Sequence, residues 1–425
     1  MKKIIKTLTL FIVAITVFAT CSDRGSSIDS VSYGEATKEL MVMVNSDSLL
    51  KSLLVSSIQK AKEINPDTVS NPAQSLEKYF EFISKVERSM PWTYITNNKQ
   101  STSFEHIFQS LCSFYFVIDQ PMPELEGKDL YHNSLQYYEP FAKWLTTFNK
   151  SWQNYLESEK SWNKEYYEIV AKDSAFGIQK GWYEEPSNWK SFDQFFARHL
   201  SSVSARPIAS PEDNSVVTSF ADAEPQGVWA IDNSSTIVDK EGVFVKSANI
   251  RHIAKLLGKD SQYKNAFANG TFTHSFLNVN DYHRYHFPMS GTIKEVHIIQ
   301  GINPTGGIIT WNPNEKRYGF NPSSINWQML ETRGCVILDT KDYGLIALLP
   351  IGMAAVGSVN FETNIKVGEK VRKGDMLGYF LFGGSDFIIV FQSKVTFTLD
   401  ASKNNNSNSY KHLLMGEKLG RLTIK

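Results

Sequence analysis

Apolar residues in the first 170 positions recur three and four apart. Leu49, Leu50, Leu53, Leu54 and Ile58 form one such run, and Leu76, Tyr79, Phe80 and Ile83 form another. That spacing places apolar side chains along one side of a helix with 3.6 residues per turn, and it predicts a helical segment over residues 31–172. Pro66, Pro72, Pro91 and the Pro121-Met122-Pro123 step punctuate it, since proline lacks a helix donor and crowds the turn before it. Residues 137–169 carry Trp144, Phe148, Trp152, Tyr155, Leu156, Trp162 and Tyr166 in helical register. A stripe of that kind predicts a packed helix face in preference to a ligand groove.

The pattern then changes. Residues 172–188, with Gly177, Gly181 and Pro186, read as a linker, and 192–199 as a short helix. Beyond them, 291–301, 334–340, 344–359, 366–382 and 387–399 read as strands separated by turns, and the Asn/Ser-rich stretch 401–409 as a surface loop. The fold class expected is α+β: a helical domain over 31–172, followed by a β-rich, barrel-like domain over 190–425. Within the second, Val367-Gly368, Val371, Lys373-Gly374-Asp375 and Leu377-Gly378 resemble the turns of biotinyl- and lipoyl-carrier barrels. A carrier needs a lysine at an exposed hairpin tip in a Met-Lys-Met setting. None is evident, so the pattern is read as architecture.

Composition narrows the partners. Lys plus Arg and Asp plus Glu both total 44, so the formal charge is zero. Without a dense basic block the chain has no electrostatic footprint for nucleic acid. The first residues look like an address: Lys2, Lys3 and Lys6 precede an apolar run over 8–19, then Cys21 and a polar segment. Phe18-Ala19-Thr20-Cys21 resembles a bacterial lipoprotein box, with residues 1–21 as the signal and Cys21 as the lipidated residue. An ordinary cleaved signal and an uncleaved anchor are the other readings. The expectation is an exported lipoprotein, tethered to a membrane and facing the periplasm or cell exterior. Cys112 and Cys335 then remain, one in each half, and nothing in their spacing argues for a disulfide.

The densest polar cluster is Asp281-Tyr282-His283-Arg284-Tyr285-His286. A buried polar strand end would explain it. A metal site would need His274, His297 or Asp281 to join His283 and His286, and no HExxH or CxxC framework supports that. Acid–base chemistry is the preferred reading, because imidazole moves protons near neutral pH. A second feature, Phe382-Gly383-Gly384-Ser385-Asp386, is weak on its own. It is neither a nucleophile elbow nor a phosphate loop.

Taken in order, these segments carry a resemblance. Phe195-Phe196-Ala197-Arg198-His199-Leu200 and Ala205-Arg206-Pro207-Ile208 come first, then Asn269-Gly270-Thr271-Phe272, the Asp281–His286 motif, Pro350–Ser358, Lys373–Phe380 and Phe382–Ser385. Together they resemble the phosphatidylserine decarboxylase family of pyruvoyl-dependent enzymes, over about residues 191–391. The helical first half and the Gly352-Met353-Ala354 step are more similar to the branch with a soluble tryptophan decarboxylase. Two positions depart from the family pattern. Asp386 stands where Ser or Thr is usual, and Ala221-Asp222-Ala223 where Asp-Gly is usual.

The resemblance implies a proenzyme that cuts its own Gly384–Ser385 bond and turns Ser385 into a pyruvoyl group, leaving a long and a short chain associated. Glycine on the acyl side suits attack by a neighbouring hydroxyl. His286 matches the family's base and Asp222 its orienting carboxylate, a serine-protease arrangement turned on its own backbone. The pyruvoyl ketone would condense with a substrate amine and accept electrons as carbon dioxide leaves, with His283 returning a proton. The substrate implied is phosphatidylserine, in phospholipid biosynthesis. The alternatives are a free, aromatic amino acid such as tryptophan, or a non-catalytic tethered binding protein. No metal enters this scheme.

Overall fold

The computed structural model describes residues 32–93, 102–238, 252–323, 325–355, 358–405 and 409–425. Cys21 and the rest of the proposed signal lie outside the described residues. The helical half contains Glu35–Ser46, Ser48–Ile64, Leu76–Val86, Ser103–Ile118, Glu139–Glu157 and Lys164–Lys172. Their starts are set by side-chain caps: Asp47 accepts from the Leu49 and Leu50 N–H groups, Ser75 from Lys78, Thr102 from Glu105 and Asn163 from Tyr166. Trp144, Phe148, Trp152 and Leu156 are all buried on one face of Glu139–Glu157, so the aromatic stripe is core. The stripe does not continue in one helix. The chain turns at 159–161, and this lets Trp162 stack on Phe195 at 5.0 Å.

The β-rich half is built on a seven-stranded antiparallel sheet. Its spatial order is Lys370–Val371, Gly291–Ile299, Thr332–Asp339, Leu345–Met353, Gly384–Phe391, Thr271–Leu277 and Glu224–Ala230. The two outer strands do not pair with each other, so the sheet is open, and the barrel-like expectation is corrected on that point. Sequence periodicity reports which face of a strand is buried but not whether edge strands meet. A three-stranded sheet of Val359–Phe361, Met376–Phe380 and Arg284–His286 forms a second layer. Another joins Val216–Thr218, Lys418–Ile424 and Val395–Leu399.

Several expected strands are shorter than the hydrophobic pattern suggested. The 344–359 run breaks after Met353, where Ala354 and Ala355 take φ of +36° and +67°. The 366–382 run splits at a turn over residues 372–375, and the two strands it joins lie in different sheets. The last run begins early, at Gly384, and stops between Phe391 and Val395. Cys112 and Cys335 are both free and buried.

Strand Gly384–Phe391 is the centre of the molecule. All eight of its residues are buried, and it pairs with Leu345–Met353 on one side and Thr271–Leu277 on the other. Alternation sends Ser385, Phe387 and Ile389 to one face and Asp386, Ile388 and Val390 to the other. On the first face Phe387 stacks on Phe220 at 3.8 Å and meets Tyr285 at 5.7 Å. On the second, Ile388 and Val390 join Phe272, Trp327, Ile351 and Met353.

The helical half reaches the start of this strand. Phe382 packs edge-on against Trp152, Phe192 and Phe196, each at 5.3 Å. Its N–H donates to the buried Asp193 carboxyl at 2.9 Å, and burial pushes that carboxyl up to about 8. Tyr115 accepts from the Ala355 N–H at 2.6 Å and donates to the Asn303 carbonyl, which holds the strained Ala354-Ala355 turn. That turn in turn receives the Gly384 N–H on the Ala354 carbonyl at 2.9 Å.

The glycine-punctuated turn is architecture too. Lys373 is buried, and its ammonium donates to the carbonyls of Ser210, Asp213 and Val216 at 2.7, 2.7 and 2.8 Å. It therefore clamps the 210–216 segment instead of offering a tip for a carried group. Lys373→Met should strand three acceptors and cost about 3 kcal/mol or more, read as a lowered denaturation midpoint with unchanged slope.

Candidate active site

Ser385 is wholly buried, and its Oγ has no hydrogen-bond partner among the described residues. An orphaned hydroxyl in a close-packed sheet is uncommon and calls for a reason. Directly before it, Gly383 takes φ of +147°, a conformation that side chains other than glycine's rarely adopt. A Cβ on Gly384 would sit 3.1 Å from Met353 and 3.3 Å from Ala354. The Gly-Gly-Ser step thus fits its place for steric reasons that the sequence does not display.

The histidines come from Arg284–His286 and the turn before it. His286 donates from Nδ1 to the Gly374 carbonyl at 2.9 Å, while the Tyr282 hydroxyl donates to its Nε2 at 3.1 Å. Burial pushes its imidazole down to about 4, with Gly374 and the Asp222 charge pulling the other way and Arg284 adding to the fall. His283 donates from Nδ1 to the Asp281 carbonyl at 2.9 Å and lies on the Phe196 ring at 3.8 Å. Its Nε2 is buried without a partner. Burial, reinforced by Arg198, holds it well below the ordinary histidine range. Both imidazoles are neutral at pH 7, and only His283 has an uncommitted nitrogen.

Asp222 is placed differently from the orienting carboxylate implied by the resemblance. It forms a bidentate ion pair with Arg206, at 2.9 Å from Nε to Oδ1 and 2.6 Å from Nη2 to Oδ2, and accepts from the Met415 N–H at 2.8 Å. The direct partner of His286 Nδ1 is therefore a backbone carbonyl. Asp222 acts on that ring through its charge. Arg206 lies 4.2 Å from the Trp182 ring and 5.9 Å from Tyr282, which links the ion pair to the residue that contacts His286.

The other expected participants separate. Asp281 accepts from the Asn278 N–H and pairs with His412 at 2.8 Å. His297 lies in the large sheet with Glu295 and Cys335, their ligand atoms all within 4.8 Å, away from the Asp281–His286 motif. His274 meets Asp386 at 2.7 Å. Asp386 faces the opposite side of the sheet from Ser385, so it does not crowd the serine hydroxyl. Arg206, Tyr282 and Asp193 were present in or beside the motifs, but linear spacing does not show what each side chain meets. His412 lies beyond the motifs and had no sequence signal. A surface cleft of about 620 Å³, lined by Trp162, Tyr167, Trp189 and Lys190 among others, contains none of these residues.

The comparisons with known proteins agree with this geometry. The family model for phosphatidylserine decarboxylase matches residues 192–421. A phosphatidylserine decarboxylase proenzyme 2 of Oryza sativa subsp. japonica is 33% identical over 234 residues, 55% of this chain and 34% of the rice protein. The decarboxylase iboD of Amanita muscaria is 31% identical over 224 residues, 50% of this chain and 61% of its own. A phosphatidylserine decarboxylase proenzyme of Fusobacterium nucleatum is 30% identical over 292 residues, covering 67% of this chain and 89% of the relative. The chain thus spans about a third of the rice protein and about three fifths of the Amanita one. The family match covers the strand with Ser385, both motif histidines and Asp222, and by it the chain belongs to the phosphatidylserine decarboxylase family.

Proposed function

We propose that this protein is a self-processing, pyruvoyl-dependent decarboxylase that removes the α-carboxylate of an amino-acid group. The observation that carries the reading is the unpartnered, buried Ser385 hydroxyl next to a glycine pair at the head of the central strand. Ser385 Oγ gives its proton to His286 and bonds to the Gly384 carbonyl carbon. The Gly384–Ser385 C–N bond breaks, and the proton passes to the freed nitrogen. Loss of the Ser385 α-proton then expels the ester oxygen as the Gly384 carboxylate. Hydrolysis at the former serine nitrogen releases ammonia and leaves pyruvoyl at residue 385.

His286 suits the base role because the Asp222 charge and the Gly374 carbonyl both favour its protonated form. Arg198 opposes protonation of His283. The Tyr282 hydroxyl holds His286 Nε2 in this structure and must yield it for the step. The pyruvoyl group supplies an electrophilic carbonyl that holds a primary amine and accepts the electron pair released with carbon dioxide. His283, with Nε2 free, is the proposed site that holds and returns a proton to the substrate carbon. The resting ring carries no proton on Nε2, so it first takes one from the substrate ammonium, which must lose it to react as an amine, and its depressed basicity makes that proton easy to give back.

The relatives' names favour phosphatidylserine as substrate, and a lipid on Cys21 would hold the protein beside a membrane in an exported setting. A free amino acid is the second reading, favoured by a pair of buried carboxyl groups behind Ser385.

His286→Ala should accumulate uncut chain, the cut slowing by roughly two to four orders of magnitude. His283→Ala should be cut yet release carbon dioxide poorly. Chain masses and carbon dioxide release distinguish the two; a His286→Ala chain cut at the normal rate would reassign the base. Because His286 sits near 4, its base form prevails above that pH. The rate of cutting should therefore be flat from pH 6 to 8 and fall as pH drops through about 4.

Asp222→Asn removes the anion from a buried pair and should cost about 3–5 kcal/mol, measured by denaturant unfolding. Arg206→Met in the same background should restore part of that loss.

Cys21→Ala should release the protein from the membrane fraction. Unchanged attachment after detergent-free washing counts against the anchor.

A further inference from the structure

Behind the Ser385 strand lies a set of buried groups that the cutting mechanism does not use. Asp386 is fully buried, with Oδ2 on His274 Nδ1 at 2.7 Å and Oδ1 without a partner. Glu331 is fully buried as well, and neither of its carboxyl oxygens has a partner. His274 is buried against Trp229, with ring centroids 5.1 Å apart, and its Nε2 is also unpartnered. Arg333 is close in sequence but spends its guanidinium on the backbone carbonyls of Lys255, Leu256 and Glu331. Burial drives both carboxyl groups above their ordinary range, and Asp386 adds to the rise at Glu331. The three carboxyl oxygens left without a partner, both of Glu331 and Oδ1 of Asp386, cost several kcal/mol unless a ligand satisfies them.

Their position bears on substrate. Thr332 pairs with Gly352, and Gly352 with Ser385. Glu331 is one residue further along and so falls in the row of Met353 and Gly384, on the face that carries Asp386. A substrate amine held at residue 385 takes the place of the Ser385 nitrogen, which the Gly384 carbonyl vacates on cutting. The remainder of a small substrate then lies in the row of Glu331. The side chains in that layer are otherwise apolar, with Met353 and Trp327 in one cluster and Phe276 and Phe320 5.6 Å apart.

We propose that the unpartnered carboxyl oxygens of Glu331 and Asp386, the latter oriented by His274, read the substrate side chain, and that the substrate is a free amino acid ending in an N–H donor, charged or neutral. This rests on the decarboxylase reading and names its substrate class. An acceptor-lined pocket disfavours the anionic phosphate of a phospholipid in that place. It also penalises an apolar side chain, which would leave both carboxyl groups unsatisfied.

The test uses the full-length, cleaved protein and its Glu331→Gln variant, supplied with L-lysine, L-tryptophan, L-norleucine or phosphatidylserine vesicles. Carbon dioxide release gives kcat and KM, and calorimetry measures binding of 1,5-diaminopentane, tryptamine and pentylamine. Lysine or tryptophan should exceed norleucine by at least about a hundredfold in kcat/KM. Glu331→Gln, once chain masses show that it is cut, should remove most of that ratio through KM and erase the binding preference for the donor-bearing amine. Norleucine turned over as well as the donors overturns the inference alone. So does preferred turnover of phosphatidylserine that Glu331→Gln leaves unchanged. An uncut chain that decarboxylates nothing overturns the decarboxylase reading and the inference with it.

Discussion

The proposed cut puts the bond to be broken at the head of a strand buried on both faces, and that burial constrains everything around it. A strand in that position has its backbone groups committed to two neighbours, and Gly384–Phe391 is paired along its length with Leu345–Met353 and Thr271–Leu277. Reaction there requires a local exception to close packing. The exception is made by Gly383, by the strained Ala354-Ala355 turn that accepts the Gly384 N–H, and by a hydroxyl left without a partner. The cost of such features is of order 1–3 kcal/mol each, and the surrounding packing must over-determine them. Here the helical half does so through Tyr115 on the Ala355 N–H and Trp152 on Phe382, joined by Asp193 of the short helix Phe192–Phe196.

The same strand divides two kinds of chemistry. On the Ser385 face the second layer brings Tyr285 against Phe387; beside it in sequence are His283 and His286, whose imidazoles burial keeps neutral, while the Asp222–Arg206 pair confines charge to a bidentate contact. Neutral rings are suited to taking a proton from a hydroxyl, which a protonated ring does not do. On the opposite face Asp386, Glu331 and His274 form an acceptor-rich group. A single residue step along a strand separates the two sets, because adjacent side chains point to opposite faces. The carboxylate that interrupts the usual pattern after the serine therefore sits where it does not oppose the cut.

Much of this was legible before the structure. The helical half followed from apolar spacing, and Ser385, His283 and His286 from the order of motifs over half the chain. The rest depended on what long-range folding places together. Asp222 could be matched by motif, but its pairing with Arg206 and not with an imidazole is decided by side chains 16 residues apart in sequence. Glu331 lies outside the motifs, and only the register Thr332–Gly352–Ser385 brings it to the row of Met353 and Gly384. The break at Ala354 was hidden because alanine gives no turn signal; Tyr115, some 240 residues earlier, compensates for it. Sheet closure was misjudged for a related reason, since hydrophobic alternation is the same in open and closed sheets.

The central claim is that Ser385 becomes the start of a new chain. Intact mass measurement of the purified, denatured protein tests it without knowledge of the substrate. The account predicts two chains, one ending at Gly384 and one of residues 385–425 whose mass is lower by one ammonia than a chain starting with free serine. A single intact chain after prolonged incubation at neutral pH would contradict it.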